Sequence, residues 1–159
     1  MDNLIINDYN DPILRKVCKP ITEFSLDLQT TLDLMISTMY NNNGVGLAAN
    51  QVGYEDRFIV VMDPNTKQVW SMVNPEVTWT SFEKDLFEEG CLSVKDENNN
   101  LIFKNIERPR RINVKWQKAD TGEVFEHRFT GLISRIIQHE IDHLDGILFT
   151  DYIKDNNNE

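Results

Sequence analysis

The segment His139–Glu140–Ile141–Asp142–His143 constrains this chain more than any other, because it carries the pattern H-E-x-x-H. Side chains four residues apart lie on one face of an α-helix, so both imidazoles are expected to reach one metal ion. Glu140 follows the first histidine and is expected beside the open coordination position, where a carboxylate takes a proton from water. Such patterns also arise by chance on surface helices, but the isoleucines at 136, 137 and 141 favour a buried helix. The segment therefore predicts a site for metal-assisted hydrolysis.

Two histidines do not complete a catalytic metal site, which usually has three protein ligands and one open position. The completions used by two kinds of metalloprotease fail here. Phe149 occupies the position of a third histidine, and the residues after His143 leave little room for a helix with a ligating glutamate. The remaining candidates are Cys18, Cys91 and His127. Cys91 is favoured because the glycine before it lets the backbone approach a ligand closely, whereas Cys18 has the character of a small hydrophobe and His127 that of an ordinary strand residue.

Residues 44–53 form a third distinctive segment, Gly-Val-Gly-Leu-Ala-Ala-Asn-Gln-Val-Gly. Its glycines and other small residues suit a backbone that lies close to a substrate, and Gln51 adds an amide side chain. Alone the segment is a weak signal, because a tight loop after a helix has a similar composition.

Taken in order, the three segments resemble the motifs of the peptide deformylases. Gly44–Gln51 has the pattern G-x-G-L-A-A-x-Q, Glu89–Ser93 the pattern E-G-C-L-S, and Gln138–Gly146 the pattern Q-H-E-x-D-H-L-x-G. The resemblance extends to residues 11–17 near the start and 146–152 near the end, so it covers nearly the whole chain. Three motifs in one order with consistent spacing are far more specific than any one of them.

The resemblance implies a metal-dependent hydrolase that removes the formyl group from the N-terminal formyl-methionine of nascent polypeptides and releases formate. The implied metal ligands are Cys91, His139 and His143. The implied catalytic groups are the Glu140 carboxylate, which moves the proton, and two donors to the oxyanion, the Gln51 side-chain amide and the Leu92 backbone N–H. The implied substrate contacts are the backbone at Val45, Gly46 and Gly90 and a methionine pocket formed by Phe87, Leu132, Ile136 and the His139 ring. An apolar pocket suits the flexible thioether of methionine.

The resemblance also implies one divalent metal ion, Fe²⁺ in the cell and Zn²⁺, Ni²⁺ or Co²⁺ in purified protein. Ferrous iron fits a Cys/His/His site with an open position, and both iron and thiolate are sensitive to oxidation. The roles of two nearby carboxylates stay open. Asp142 and Glu89 each either orient a ligand histidine or are plain carboxylates without that role.

A chain of 159 residues fits one domain, expected at residues 1–154 and followed by a disordered polar tail at 155–159. Acidic residues number 26 and basic residues 16, which gives a formal charge of −10. This charge disfavours binding to nucleic acids and to anionic membranes, where Lys and Arg supply the affinity. No apolar run reaches the roughly 20 residues of a membrane span, and residues 1–3 start no secretory signal. The two cysteines provide no disulfide framework, so we expect a cytoplasmic protein, in the host cytoplasm if the chain is virus-encoded. We also expect a monomer.

Bacterial deformylases commonly continue past the region of residues 151–153, expected here to be a strand, into a long basic helix thought to meet the ribosome. This sequence ends at Glu159, so ribosome docking through such a helix is not expected. The segment 95–107 looks longer than the corresponding bacterial loop, which often carries an arginine near the substrate. Lys104 and Arg108 are the candidates for the equivalent of that arginine.

The apolar periodicity predicts an α+β fold, in which antiparallel strands pack around a central H-E-x-x-H helix and a separate helix lies near the N-terminus. The expected helices are 25–41, with Ser25 as its N-cap, and 130–144. The expected strands are 57–63, 69–73, 76–80, 111–117 and 123–129, the last two joined as a hairpin. A polar run at 95–100 is expected to be an exposed loop.

Two other functions compete with deformylation. A metalloprotease that cuts internal peptide bonds shares the H-E-x-x-H helix but does not account for the other two motifs. A non-catalytic protein that captures formylated N-termini would be expected to lack Glu140 or Gln51, and both are present. Formate release from formyl-methionyl peptides, compared with acetylated and internal-peptide substrates, separates the three.

Overall fold

The structure, a computed structural model, describes residues 3–157. The helices are α1 (Leu26–Asn41), α2 (Leu132–Leu144) and α3 (Thr150–Asn157), with two short 3-10 helices, η1 (Pro12–Arg15) and η2 (Ala49–Val52). The strands are β1 (Gly46–Ala48), β2 (Phe58–Met62), β3 (Val69–Thr80), β4 (Lys84–Glu89), β5 (Lys104–Pro109), β6 (Arg111–Gln117) and β7 (Val124–Thr130). Five strands form one antiparallel sheet in the order β1-β2-β3-β6-β7, and β4 pairs with β5 in a second sheet. The predicted α+β class is confirmed.

The helix α2 carries the H-E-x-x-H segment and packs against β1, β2 and β7 of the large sheet. Eleven of its thirteen residues are buried. It starts at Leu132, later than predicted, because Thr130 still pairs with β6 and Gly131, with a φ of 72°, makes the turn between strand and helix. It ends at Leu144, as predicted, and Gly146 follows in the left-handed conformation with a φ of 74°.

Elements with strong apolar periodicity form where the sequence predicts them. α1 begins after Ser25, whose side-chain oxygen accepts a hydrogen bond from the Leu28 N–H at 3.1 Å. Its buried side chains are Leu32, Met35, Thr38 and Met39. All five residues of β2 are buried. In β6, alternation buries Ile112, Val114 and Trp116.

The two strands predicted on either side of Asn74–Pro75 are one continuous strand, β3, so that prediction was wrong. Asn74 adopts a φ of 51°, and the pairing with β6 shifts register at this point. Such a bulge tolerates a proline, which cannot donate to the ladder. The Asn74 side chain supplies replacement hydrogen bonds: Oδ1 accepts from the Ile21 N–H at 2.8 Å, and Nδ2 donates to Gln117 Oε1 at 2.9 Å.

β4 and β5 were not predicted from the sequence. They pair along their whole length, from Lys84 opposite Pro109 to Glu89 opposite Lys104. Both strands are mostly exposed and rich in charged residues, so no apolar alternation marks them. The expectation of one long loop at 95–107 was therefore wrong. Residues 95–100 form the exposed turn that was predicted, and β5 begins soon after it.

The strand expected at 151–153 is part of a helix, α3, so that expectation was also wrong. The apolar residues at 152 and 153 lie three and four positions after Phe149, a spacing that suits one face of a helix. They cover a second small core that consists of Cys91, Val94, Ile106 and Phe149, with Ile102, Tyr152 and Ile153 packed against it. The predicted disordered tail begins within α3. Residues 158–159 lie outside the described part of the chain, and the tail stays a prediction.

Candidate metal centre and active site

Three buried side chains meet between α2 and the turn that follows β4. The ligand atoms of Cys91, His139 and His143 all lie within 4.8 Å of one another. The three residues are 6%, 7% and 1% exposed, respectively. α2 presents its two histidines one turn apart, as their spacing predicts, and Cys91 reaches them from just beyond Glu89 at the end of β4. The structure thus brings the three predicted metal ligands together.

The distances and donor atoms fit a divalent metal ion. Bonds of about 2.0–2.3 Å to nitrogen and sulfur in a tetrahedral site place ligand atoms roughly 3.3–3.8 Å apart, and Cys91 Sγ lies 3.3 Å from His143 Nε2. His139 uses Nδ1 to contact Glu89 Oε1 at 2.9 Å, which leaves Nε2 as its ligand atom. Metal-binding histidines usually engage their second ring nitrogen in this way. Three such ligands leave a fourth coordination position open, as catalytic sites require.

The other two ligand candidates lie elsewhere in the fold. Cys18 is buried in the main core, where its N–H donates to the Leu144 carbonyl at 2.7 Å. Its burial raises the pKa of the thiol to about 11, so it stays protonated at neutral pH. His127 lies on β7, and its ring packs edge-on against Phe129 with centroids 4.9 Å apart. Neither residue belongs to the metal cluster.

Glu140 lies beside the metal ligands with its carboxyl group against the backbone of Gly46 in β1. It is buried, and within residues 3–157 its Oε1 atom has no hydrogen-bond partner. Burial is the main cause that raises its pKa to about 7. A carboxyl group with a pKa near neutrality and an unpaired oxygen is suited to accept and return a proton.

The Gln51 side chain is fixed at the same site by three contacts. Its Oε1 accepts from the Ala48 N–H at 2.9 Å, and its Nε2 donates to Ser93 Oγ at 3.1 Å and lies 3.4 Å from Cys91 Sγ. The first contact is made within the turn of η2, and the other two reach across to the E-G-C-L-S motif. Folding therefore joins two motifs that are separated by about forty residues in the sequence and aims an amide N–H at the metal centre.

A buried ionic network holds the ring of His139. Glu89 Oε1 contacts His139 Nδ1 at 2.9 Å and accepts from Arg108 at 2.9 Å, while Oε2 accepts from Arg108 at 2.5 Å and from Arg135 at 2.6 Å. Burial alone would raise the pKa of Glu89, but hydrogen bonds from His139 and Arg108 lower it to about 2. Glu89 is therefore an anion that fixes the orientation of a metal ligand.

Asp142 contacts Arg108, which in turn binds Glu89, rather than a ligand histidine. Its Oδ2 accepts from Arg108 at 2.9 Å and from the Tyr152 hydroxyl at 2.7 Å, and so it braces Arg108 from α2. Arg108 itself is 4% exposed and committed to Glu89 and Asp142. Arg108, one of the two candidates for an arginine near the substrate, therefore does not line the catalytic cavity. Lys104 lies on β5 and does not line the catalytic cavity.

A cavity of about 320 Å³ opens onto the metal ligands. The predicted substrate and catalytic residues that line it are Val45, Gly46, Gln51, Gly90, Leu92, Leu132, Ile136 and Glu140. Phe87 does not line it. It borders a neighbouring depression whose wall includes Leu132 and Arg135, which the two cavities share.

The sequence did not predict several residues of the cavity wall, among them Leu101, Phe103 and Arg135. The ring of Phe103 covers Gly90 so closely that a β-carbon there would lie 2.5 Å from it. Pairing of β5 with β4 is what carries this ring to the site, so the signal was lost with the two unpredicted strands. The spacing of Arg135, four residues before His139, does place it on the ligand face of α2.

Comparison with known proteins agrees with the geometry. The family model for polypeptide deformylase matches residues 4–159. The peptide deformylase of Thermotoga neapolitana is 45% identical over 146 residues, which cover 92% of this chain and 84% of the relative. That of Bartonella tribocorum is 41% identical over 148 residues, covering 90% and 80%.

Solved structures give the same result. The crystal structure of peptide deformylase from Thermotoga maritima superposes with a TM-score of 0.87 at 41% identity, covering 96% of this chain and 98% of that one. A probable peptide deformylase from the Synechococcus phage S-SSM7 superposes with a TM-score of 0.84 at 40% identity, covering 94% and 99%. The family model matches almost the whole chain, and the similar proteins and solved structures described above are all peptide deformylases by name. This chain therefore belongs to the polypeptide deformylase family.

Proposed function

We propose that the cavity beside Cys91, His139 and His143 is where the enzyme hydrolyses the formyl group of N-terminal formyl-methionine, with these residues holding one divalent metal ion. Deformylation of N-formyl-methionine peptides is the activity of the family to which the chain belongs. One observation carries the assignment of the site. Three buried ligand atoms meet within 4.8 Å, beside a buried carboxyl group with an unpaired oxygen, at the wall of a largely apolar cavity.

Each protein group has a separate part in the reaction. Bound at this site, a divalent ion supplies positive charge that polarises the formyl carbonyl and makes a neighbouring water more acidic. Glu140 takes a proton from the water as the water oxygen bonds to the formyl carbon, and it returns the proton to the methionine nitrogen as the C–N bond breaks. The Gln51 side-chain amide and the Leu92 N–H donate hydrogen bonds to the oxygen on which negative charge develops. Formate and a peptide with a free amino group are the products.

The substrate is held by backbone and by apolar surface. Val45, Gly46 and Gly90 offer backbone groups along the cavity, and the methionine side chain enters the apolar pocket. Its wall consists of Leu132, Ile136 and the His139 ring, with Phe87 adjoining through the neighbouring depression. Leu101 and Phe103 also line the cavity, which extends the proposed pocket beyond the residues expected from the sequence.

The donor set favours a borderline or soft divalent metal. We propose Fe²⁺ in the cell, with Zn²⁺, Ni²⁺ or Co²⁺ able to occupy the site in purified protein. Because thiolate and ferrous iron are both oxidisable, the iron form is expected to lose activity in air, and the zinc form to be more durable. Activity and metal content measured under nitrogen and in air compare the two forms.

The partners are inferred from substrate and charge. The enzyme acts on formylated nascent chains, and we propose that it does so in the cytoplasm, or in the host cytoplasm if the chain is virus-encoded. Its formal charge of −10 opposes binding to nucleic acid and to anionic membranes, and we propose that it is a monomer. No helix within residues 3–157 combines the length and apolar character needed to cross a membrane.

Formate release tests the proposal directly. The metal-loaded enzyme is given a formyl-methionyl peptide, its acetylated counterpart and a blocked peptide with internal bonds only. Formate is expected from the first alone, with turnover abolished by a chelator and restored by added metal. Cleavage of the internal bonds would support the metalloprotease instead, and binding of the formyl peptide without turnover would support a non-catalytic binder.

A further inference from the structure

We propose that Asn50 is a positioning residue for the metal ligand His143. Its amide nitrogen holds the backbone carbonyl of His143, and its amide oxygen would accept the N–H of the His143 ring when that ring holds a metal ion. The inference rests on the proposed metal site. It gives a role to a position that the pattern G-x-G-L-A-A-x-Q leaves unspecified, since Asn50 stands at the second x.

The first contact is explicit in the structure. Asn50 is fully buried in η2, beneath the C-terminal end of α2. Its Nδ2 donates to the His143 carbonyl at 2.5 Å, although the residues are 93 positions apart. A carbonyl oxygen only accepts hydrogen bonds, so the amide must present its nitrogen to it. The orientation of the amide is therefore fixed by chemistry.

The ring of His143 needs a second partner. Its Nε2 lies 3.3 Å from Cys91 Sγ, so Nε2 is the atom that faces the metal position. A neutral imidazole bound through Nε2 carries its proton on Nδ1, and metal-binding histidines almost always donate that proton to an acceptor. His139 follows this rule through Glu89. Within the described chain, His143 Nδ1 is buried and has no partner.

Asn50 Oδ1 is the complementary atom. It too is buried without a partner among the described residues, so the two atoms are not hydrogen-bonded to each other in the structure. The proposed bond forms by rotation of the His143 ring, and it joins an acceptor that lacks a donor to a donor that lacks an acceptor. The other buried unpaired acceptors belong to Asp120 and Glu140. Asp120 lies in the turn between β6 and β7, and Glu140 faces β1 and the cavity. Asn50 is the one already bound to His143.

Holding both the carbonyl and the ring of His143 fixes the direction of its Nε2 atom. Loss of an outer partner of this kind typically costs about 10–100-fold in metal affinity. The same residue precedes Gln51, so η2 would set one metal ligand and one oxyanion donor together. Each of the two ligand histidines would then have its own buried partner, an anion for His139 and a neutral amide for His143.

The parent protein tests the pairing without any substitution. In ¹⁵N-labelled, zinc-loaded protein, the His143 ring N–H is expected to exchange slowly with water and to show a nuclear Overhauser effect to the Asn50 side-chain amide protons. A rapidly exchanging ring N–H, or a protected one without that contact, overturns the inference. Failure to retain stoichiometric zinc overturns the proposed metal site as well, so the two failures are distinguishable.

Zinc release to a chelator tests the consequence. Asn50→Leu removes both contacts and is expected to release zinc about 10–100-fold faster than the parent. Asn7→Ala is the matched control, because the Asn7 amide touches the Asn50 backbone carbonyl at 3.4 Å and leaves its side chain alone. Parental release by the Asn50→Leu variant, or equal acceleration by the Asn50→Leu and Asn7→Ala variants, overturns the inference. If Asn50→Leu does not fold, the spectrum of the parent protein decides.

Discussion

The backbone of Gly46 lies directly against the carboxyl group of Glu140. A β-carbon at Gly46 would be 2.4 Å from Glu140 Oε2 and 2.9 Å from Cδ, closer than side chains tolerate. Because Glu140 is only 5% exposed, its carboxyl group can move away from Gly46 only toward the cavity that it lines. The absence of a side chain at Gly46 therefore allows the carboxyl group of Glu140, the proposed proton-transfer group, to lie against β1.

Gly46→Ala is expected to keep the metal and to lower kcat by about 10²-fold, since a displacement of about 1 Å in a catalytic group has an effect of that size. Formate release and metal content of the same preparation measure it. Gly53→Ala is the control, because no atom lies within 4 Å of a β-carbon there and the change strains only a backbone φ of 94°. The control should lose some stability and no turnover. Normal kcat in Gly46→Ala would contradict the contact.

Glu140→Ala should retain the metal and lose about 10²–10⁴-fold in turnover, the usual contribution of a general acid–base group. Glu140 lies between two ligands in the sequence without being one of them, so metal content is expected to be unchanged. Retention of more than about a tenth of the parental rate at equal metal content would exclude Glu140 as the proton-transfer group.

Cys91→Ser is expected to weaken metal binding, because a hydroxyl is a poor substitute for a thiolate ligand. The matched change Cys18→Ser should leave the metal in place, since Cys18 lies in the main core away from the cluster. Metal analysis after dialysis compares the two variants. Equal loss from both, or from neither, would show that the third ligand has been assigned wrongly.

Glu89→Gln removes the single anion shared by two buried guanidinium groups and His139. Unpairing buried charges in this way typically costs about 3–5 kcal/mol in the free energy of unfolding. Urea denaturation at fixed metal concentration measures the loss. Asp85→Asn is the control: its carboxylate pairs with Arg110 at the surface, and its removal should change the free energy of unfolding very little. Similar midpoints for both variants would argue against a structural role for the buried network.

Cys18 predicts a pH dependence of stability. Burial raises the pKa of its thiol from 9.0 to about 11 in the folded chain. Between these values the unfolded chain releases the proton and the folded chain retains it, so the free energy of unfolding falls as the pH rises from 9 to 11. Cys18→Ala should flatten this part of the profile, measured by urea denaturation at several pH values. An unchanged slope in the variant would show that other groups cause the decline.

The parts of the fold that the sequence predicted are those that bury a regular apolar pattern. α1, β2 and β6 have such patterns, and α2 has one together with its ligand motif. β4 and β5 pair with each other at the surface, where charged side chains such as Lys84 and Glu107 are tolerated on both faces, and no pattern results. Asn74 shows a second reason for failure: its side chain replaces ladder hydrogen bonds, so β3 continues where the sequence predicted two separate strands.

The residues of the site also differ in whether the sequence could predict them. The proposed ligands and catalytic groups could be selected from the sequence because their chemistry restricts both residue type and spacing, as for His139, Glu140 and His143. The groups that hold them were not, since a carboxylate or an amide is recognised as a partner only when folding brings it into contact. Arg108, which the sequence offered as a candidate for a substrate role, instead binds Glu89. Asn50 carries no sequence signal, and only the fold shows its contact with His143.

The position of β1 at the end of the sheet order has a consequence for the range of substrates. β1 pairs with β2 on one side only, and residues 45 and 46 border the cavity on the other. An extended peptide laid along that free edge would meet N–H and C=O groups, which every amino acid possesses alike. A cell makes many different proteins that all begin with the same residue. An enzyme that grips the first side chain in a pocket and the rest by its peptide groups can serve them all, whichever residues come second and third.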